Sequence, residues 1–390
     1  MTDSRRSLRS RSLDLLRFPL AVIVAAVHVV ASRIYWNGTA FVHIDTMPGA
    51  GDFFAFVDAF LRGQSVPIYF FISGYVFFLG LDFNLESYAR KLNHRIHSLL
   101  IPYISWNLLA LGVTALCFIP AVTVHYPHYF HWHTEITLQS FLETFWNSAY
   151  GIFRNPNTPP PGNAIYPQDY PLWFVRDLML IVLCAPGIYL LLRGARRWVV
   201  ILLSMAWLGL SPFDLGHISQ LLTGYFFFIW GAYLSYRGKD MIELMRRRFR
   251  PAMILYPLLA IGLFLGDHIM PDWIFRLLKS FCVLAGMVIA YSLAAILIER
   301  GHIRVSQFLA NASFFVYVAH GIIVAHVNTW LFRWLEPEHF GAVAAIYLLT
   351  LLITVLSLLA IYWLLGRYAP WLQKILAGRA YRYEKKRRLV

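Results

Sequence analysis

The sequence predicts an all-α polytopic membrane protein, a bundle of about ten transmembrane helices with both termini in the cytoplasm. Three observations predict it. Of 390 residues, 59% are hydrophobic and only 14% are charged. The apolar residues gather into blocks of about 20, the length a helix needs to cross roughly 30 Å of hydrocarbon. The cations collect in the short segments between blocks, and they do so on alternate sides.

Ten spans are read, approximately at 15 to 35, 64 to 81, 98 to 120, 172 to 192, 197 to 214, 217 to 236, 252 to 270, 274 to 298, 308 to 332 and 341 to 366. With the N-terminus in the cytoplasm, every second loop is cytoplasmic. Of the 34 lysines and arginines, only Arg33, Arg62, Arg154 and Arg333 then lie in outer segments, and Arg17, Arg176, Arg276 and Lys279 lie in or at the ends of spans. All the others fall on the cytoplasmic side, the asymmetry expected of an inner-membrane topology. The chain divides into a basic tail at 1–14, a transmembrane domain at 15–366 and a second basic tail at 367–390.

A formal charge of +14 could suggest nucleic acid, but no soluble domain presents a basic face with interleaved aromatics. Cys117, Cys184 and Cys282 all fall in apolar blocks, where thiols act as small hydrophobes, so no disulfide framework is expected. A signal peptide at the first block is disfavoured, because His28 would sit badly in its core.

Two outer segments are long. Residues 36–63 hold a short apolar piece, Phe53 to Leu61, suited to the membrane interface. Residues 121–171 are rich in His, Tyr, Trp and Pro, include "NPNTPPPGN", and are read as a loop capping the outer mouth of the bundle. Within it, "HYPHYFHWH" offers His125, His128, His131 and His133. That spacing lacks a helical i,i+4 pair or a nearby cysteine, so an aromatic interfacial loop is expected rather than a metal site.

Ionisable groups inside a membrane are costly, and each is a functional hypothesis by default. In "LDLLRFPLAVIVAAVHVVASR", the eleven residues from Arg17 to His28 turn about 1100° and rise about 16 Å, so both side chains share one face. His28 then lies near mid-bilayer, reached from the cytoplasm along a polar channel, or is simply bonded to a neighbouring helix. The fourth span opens "PLWFVRDLML", with Arg176 and Asp177 either a functional pair or a self-neutralising strut. The ninth reads "ASFFVYVAHGIIVAH"; His320 near its middle is able to face His28, and His326 is interfacial. Arg276 and Lys279, opening the eighth span, either neutralise Asp177 or meet an anionic acceptor.

These segments, together with "PIYFFISGYVFF", "HRIHSLLIPYISWNLL", "YFFFIWGAYLSYRG" and "FFVYVAHGII", resemble in order the signature stretches of the membrane acyltransferase-3 family. They are most similar to its branch of surface-polysaccharide O-acyltransferases, which includes the enterobacterial common antigen O-acetyltransferase. The resemblance implies a bacterial inner-membrane enzyme that takes an acetyl or other short acyl group from cytoplasmic acyl-CoA to a glycan or lipid-linked sugar. Acyl-CoA is then a co-substrate; no permanent cofactor and no metal are expected.

The family's Arg-x10-His motif falls on Arg17 and His28, and its late histidine on His320. Its basic pair before the third span falls on Arg95 and Ser98, so the second arginine is missing. The donor phosphates would then also need Arg90, Lys91 or other loops. His28 is the expected general base, and Arg17 serves the donor's phosphates or the channel mouth. His320 orients His28 or supplies the oxyanion contact. Arg176 and Asp177 are expected to bind substrate. Many relatives carry a soluble domain after the bundle, and none is expected here. The alternative from the residues alone is a transporter or flippase for a polysaccharide or lipid-linked sugar. Oligomeric state is left open.

Overall fold

A computed structural model of the chain describes residues 3–29, 33–36, 39–43, 48–80, 84–119, 122, 133–154, 165–194, 197–213, 215–266 and 269–379, with the backbone alone at 3–7, 33–36 and 39–43. The described residues are overwhelmingly helical. In chain order the principal helices are α1 (Asp3–His28), α2 (Ala50–Leu61), α3 (Ser65–Phe78), α4 (Leu85–Arg95), α5 (Ile101–Cys117), α6 (Leu138–Trp146), α7 (Trp173–Leu183) and α8 (Ala185–Gly194). There follow α9 (Arg197–Leu210), α10 (His217–Tyr236), α11 (Met241–Arg246), α12 (Phe249–Gly266), α13 (Asp272–Glu299), α14 (Gln307–Leu335), α15 (Phe340–Tyr368) and α16 (Pro370–Ala377). Two short hairpins pair Arg33–Trp36 with Thr39–His43 and His133–Thr134 with Phe153–Arg154.

All ten apolar blocks contain helix. Among the described residues, five helical stretches are long and apolar enough to cross a bilayer by themselves: α4 running into α5, then α12, α13, α14 and α15. A sixth counts if α7 and α8 form one bent span. The remaining blocks fall short for visible reasons. The first half of α1 is charged, and α3, at 14 residues, reaches only about 21 Å. Most of α3 is buried against protein. A multi-pass membrane protein with an all-helical body is the architecture these helices carry.

The centre is the contact of α3 with α10, allowed by glycine. A Cβ on Gly74 would sit 2.0 Å from the Phe228 carbonyl oxygen, and one on Gly231 would sit 2.2 Å from that of Phe71. The two backbones therefore touch, in the small-residue packing that membrane helices favour. Around this seam lie the buried rings of Phe70, Phe71, Phe77, Phe227 and Phe228. Against this core, α1 packs on α14 and α13, and α12 and α15 flank the bundle.

Three expectations change. The stretch 82–97, read as a basic loop, is helical from Leu85, because Asn84 and Ser87 form a reciprocal cap on the first turn. It continues through a π-turn at Ile96–Leu100 into α5. The fourth span bends by 58° near Cys184, where Pro186 has no N–H and crowds the preceding turn. The loop 121–171 contains a helix, α6, capped by Thr137 and Ser140. The interfacial piece Phe53 to Leu61 lies within α2, which packs on α12 and α15.

Candidate active site

The site is built around two sizeable cavities, one beside the C-terminal end of α1 and the other beside its middle. One, of about 710 Å³, is lined by His28 at the C-terminal end of α1, with Arg62, Tyr166, Tyr170, Trp173 and Tyr317 among its walls. The other, of about 870 Å³, lies between α4, the end of α3 and the turn after α16, and is lined by Arg17, Arg90, Lys91, His94, Arg95, Ser98 and Arg379. A smaller cavity of about 180 Å³ extends from it, sharing Arg17, Arg95 and Arg379 and reaching Tyr69 and Tyr317. Tyr317 therefore belongs to the walls on both sides.

His28 and His320 come together. Their rings stack with centroids 5.3 Å apart and planes 23° from parallel, and Tyr170 meets the His28 ring edge-on at 4.9 Å. The α14 residue Tyr317 lies three positions before His320, and its carbonyl receives the His320 Nδ1–H. That bond fixes the tautomer, leaving Nε2 as an acceptor with no partner among the described residues. His28 sits on the open face of this stack and lines the cavity; His320 is wholly enclosed behind it.

Arg17 lies at the other end of the α1 face, in the wall of the basic cavity and its extension. One Nη donates to Asp14 Oδ1 at 2.8 Å. The Tyr69 hydroxyl donates to the Arg17 carbonyl at 2.7 Å, and the Tyr317 hydroxyl donates to the Pro171 carbonyl. These two tyrosines stand 6.1 Å apart by ring centroids, between the extension and the His28 cavity. The expected channel thus differs from the observed one: His28 opens onto a cavity whose other walls come from the end opposite Arg17, and the Tyr69–Tyr317 pair stands between His28 and the basic side.

The basic cavity is cationic, and no acidic residue is among its described lining. Arg95, in the last turn of α4, has no hydrogen-bond or ion-pair partner among the described residues. Arg90 is exposed and 3.7 Å from Glu86. Lys91 donates instead to the Phe77 carbonyl and sits over the Phe77 ring, capping α3. Ser98 lines the cavity, and so does Arg379 from the turn after α16. Gly378, at φ +70°, lies so close to Ser98 that a Cβ would come within 2.6 Å of the Ser98 carbonyl oxygen. This contact delivers Arg379 to the cavity, where burial and the nearby Arg17 push its guanidinium below the usual arginine value. Sequence reasoning missed Arg379, whose only signal was its place in the basic tail.

Arg176 and Asp177 line neither large cavity. They form a buried knot: Arg176 Nε donates to Asp177 Oδ1 at 2.8 Å, its two Nη groups reach the Trp146 carbonyl at 2.8 Å and His217 Nε2 at 2.9 Å, and the guanidinium covers the Trp146 ring. A further bond to the Ile165 carbonyl, 3.2 Å long, ties down the strand of chain that carries Tyr166. The pair thus ties the α6 region to the bundle. Lys279 pairs with Asp58 at 2.9 Å, not with Asp177.

Two residues beside the histidines went unnoticed in the sequence, Asp169 and Tyr170, both just ahead of "PLWFVRDLML". Asp169 is buried with one carboxylate oxygen unpartnered, and burial drives its carboxyl well above the ordinary value. Its backbone N–H donates to Asn107 Oδ1 at 3.0 Å, which fixes the turn that aims Tyr170 at His28. Of the alternating histidines, His125, His128 and His131 lie outside the described residues and His133 is exposed. No cluster of three or more His, Cys, Asp or Glu suited to a metal occurs among the described residues.

No curated protein and no solved structure matches the chain. The model of the Acyl_transf_3 family, described as an acyltransferase domain, matches residues 10–365 and so spans α1 through most of α15, both histidines and every wall of the cavities except the turn bearing Arg379. A match over nearly the whole chain makes this protein a member of the acyltransferase-3 family of membrane acyltransferases.

Proposed function

We propose that this membrane acyltransferase carries an acetyl or other short acyl group from acyl-CoA, held at the basic end, to a hydroxyl of a glycan or lipid-linked sugar in the His28 cavity. The basic end is the cytoplasmic one, as the charge asymmetry favours, and the membrane is a bacterial inner membrane. The observation that carries the reading is the shared wall at Tyr317: a cationic cavity fit for phosphates tapers towards the histidine that lines the next cavity. Family membership disfavours the transporter alternative.

In this reading Arg95, Arg379, Arg17 and Arg90 hold the phosphates of CoA, and planar guanidinium groups suit that task. The pantetheine arm spans the roughly 16 Å between the Arg17 and His28 levels, with its thioester drawn between Tyr69 and Tyr317. His28 accepts the proton of the acceptor hydroxyl as its oxygen attacks the thioester carbonyl. The tetrahedral intermediate then breaks its C–S bond, and the CoA thiolate recovers the proton from the imidazolium. His320 keeps the His28 ring oriented, and its stacking limits the pair to one positive charge.

The test uses purified full-length protein, labelled acetyl-CoA and a surface-glycan acceptor. His28→Ala should cut transfer by at least about 100-fold while acetyl-CoA still binds, the size expected for losing a general base. Wild-type turnover in His28→Ala would remove the base, and wild-type protein that binds no acetyl-CoA would remove the donor.

A further inference from the structure

His28 is the last residue of α1, where a helix is least held, because the closing turn leaves backbone carbonyls with no partner along the helix. A general base has the opposite need. Misplacing the reacting group by about 1 Å can cost on the order of 100-fold in rate. Neither ring nitrogen of His28 is hydrogen-bonded to a described residue, so the ring is placed by stacking and by the backbone that carries it.

That backbone is held from two neighbouring helices. The Tyr347 hydroxyl, from α15, donates to the Ala26 carbonyl at 3.0 Å, and Asn328 Nδ2, from α14, donates to the Val29 carbonyl at 3.2 Å. These carbonyls bracket His28. Thr350, three residues after Tyr347, donates its hydroxyl to Asn328 Oδ1 at 3.3 Å, which turns the amide N–H towards α1. All three side chains are buried, and none is among the described lining of either large cavity. Tyr347 also rests against Phe53 and Phe54 of α2, with ring centroids 5.3 and 6.0 Å away. Asn328 shares α14 with His320, so its bond to Val29 ties the helix that bears one histidine to the residue following the other. Directional bonds of this kind fix the register of two helices in a way that apolar contact alone does not.

Building on the acyltransferase reading, we propose that Asn328, Tyr347 and Thr350 are positioning residues for acyl transfer: a polar clasp on the end of α1 that keeps the His28 ring stacked on His320 and presented to the acceptor hydroxyl. They touch neither donor nor acceptor and act through His28.

The test uses full-length protein in detergent with isotope-labelled histidine rings. The His28 signal is identified by its loss in His28→Ala, and its position reports the rings stacked around it. Asn328→Leu keeps the bulk and removes both amide bonds, and Tyr347→Phe removes one hydroxyl. Both should displace the His28 signal, Asn328→Leu the more. With labelled acetyl-CoA and envelope glycans extracted from the native cells, turnover in Asn328→Leu should fall by about tenfold to a hundredfold, while the dissociation constant for acetyl-CoA stays the same. An unmoved His28 signal in Asn328→Leu overturns the proposal, as does wild-type turnover in a variant whose signal has moved. Should Asn328→Leu not fold, Tyr347→Phe decides by the same two readings. Wild-type protein that binds no acetyl-CoA would instead defeat the acyltransferase reading, and the histidine spectra would still judge the clasp, so the two failures are separable.

Discussion

The two cavities differ in charge and in the parts of the fold that wall them. The cavity at the basic end is the larger, is lined by guanidinium and ammonium groups, and is assembled from helix ends: the last turn of α4, the close of α3 and the turn after α16. The His28 cavity is walled mainly by aromatic and aliphatic side chains, with Arg62, Arg276 and Lys279 among them, and one of two stacked imidazoles opens onto it. Helix ends and turns supply charge cheaply, because their cations stay near water. On the proposed reading, the charged part of the donor is held at one level of the bundle and its uncharged end reacts at another.

This contrast can be broken from either side. The largest effect is expected at the knot that steadies the His28 side. Arg176→Ala leaves buried Asp177 with only the longer His217 contact and frees the Trp146 and Ile165 carbonyls, which should cost about 3–5 kcal/mol. Thermal unfolding in detergent reads this directly, and an unchanged midpoint would show the knot to be dispensable. Next, Arg95→Ala should weaken acetyl-CoA binding by about tenfold to a hundredfold, the worth of one charge-assisted contact. Calorimetry at matched salt checks it, and an unchanged dissociation constant would take Arg95 out of the donor site.

Smaller effects sharpen the boundary. Tyr317→Phe removes the hydroxyl bonded to the Pro171 carbonyl, worth about 1 kcal/mol. It should slow turnover by no more than about tenfold and leave acetyl-CoA affinity unaltered; a shift in affinity instead would assign Tyr317 to the donor cavity alone. The mildest concerns Asp169. Its carboxyl is raised in the folded protein, so the unfolded chain ionises first as pH rises. Folding stability should therefore decline with rising pH from the ordinary carboxylate value up to the raised one. Asp169→Asn should flatten that decline, and parallel stability profiles for the two proteins would show that this carboxyl does not titrate with folding.

Much of this was legible because hydrophobic length and helical pitch are one-dimensional facts. The blocks announced helices, and the 11-residue spacing put Arg17 and His28 on one face. Rotation and neighbours are not written in spacing. Nothing in "ASFFVYVAHGII" fixes which way His320 points, and the stacking with His28 depends on how α1 lies against α14. The cationic run from Leu85 to Arg95 looked like a loop because charge was weighed above its Asn84 cap. Pro186 did announce the bend near Cys184, and the continuous apolar block concealed it. Arg379 was hidden for a different reason: its contribution depends on Gly378 touching Ser98, a contact across 280 residues of chain.

The tyrosine pair between the cavities has a bearing on the cell as well as on the reaction. An enzyme that passes an acyl group through the bilayer risks opening a water wire, and a water wire would let protons run down their gradient at every cycle. On the proposed reading, two phenol rings tethered to backbone carbonyls stand where the thioester would pass, and their return behind it would keep such a wire from forming.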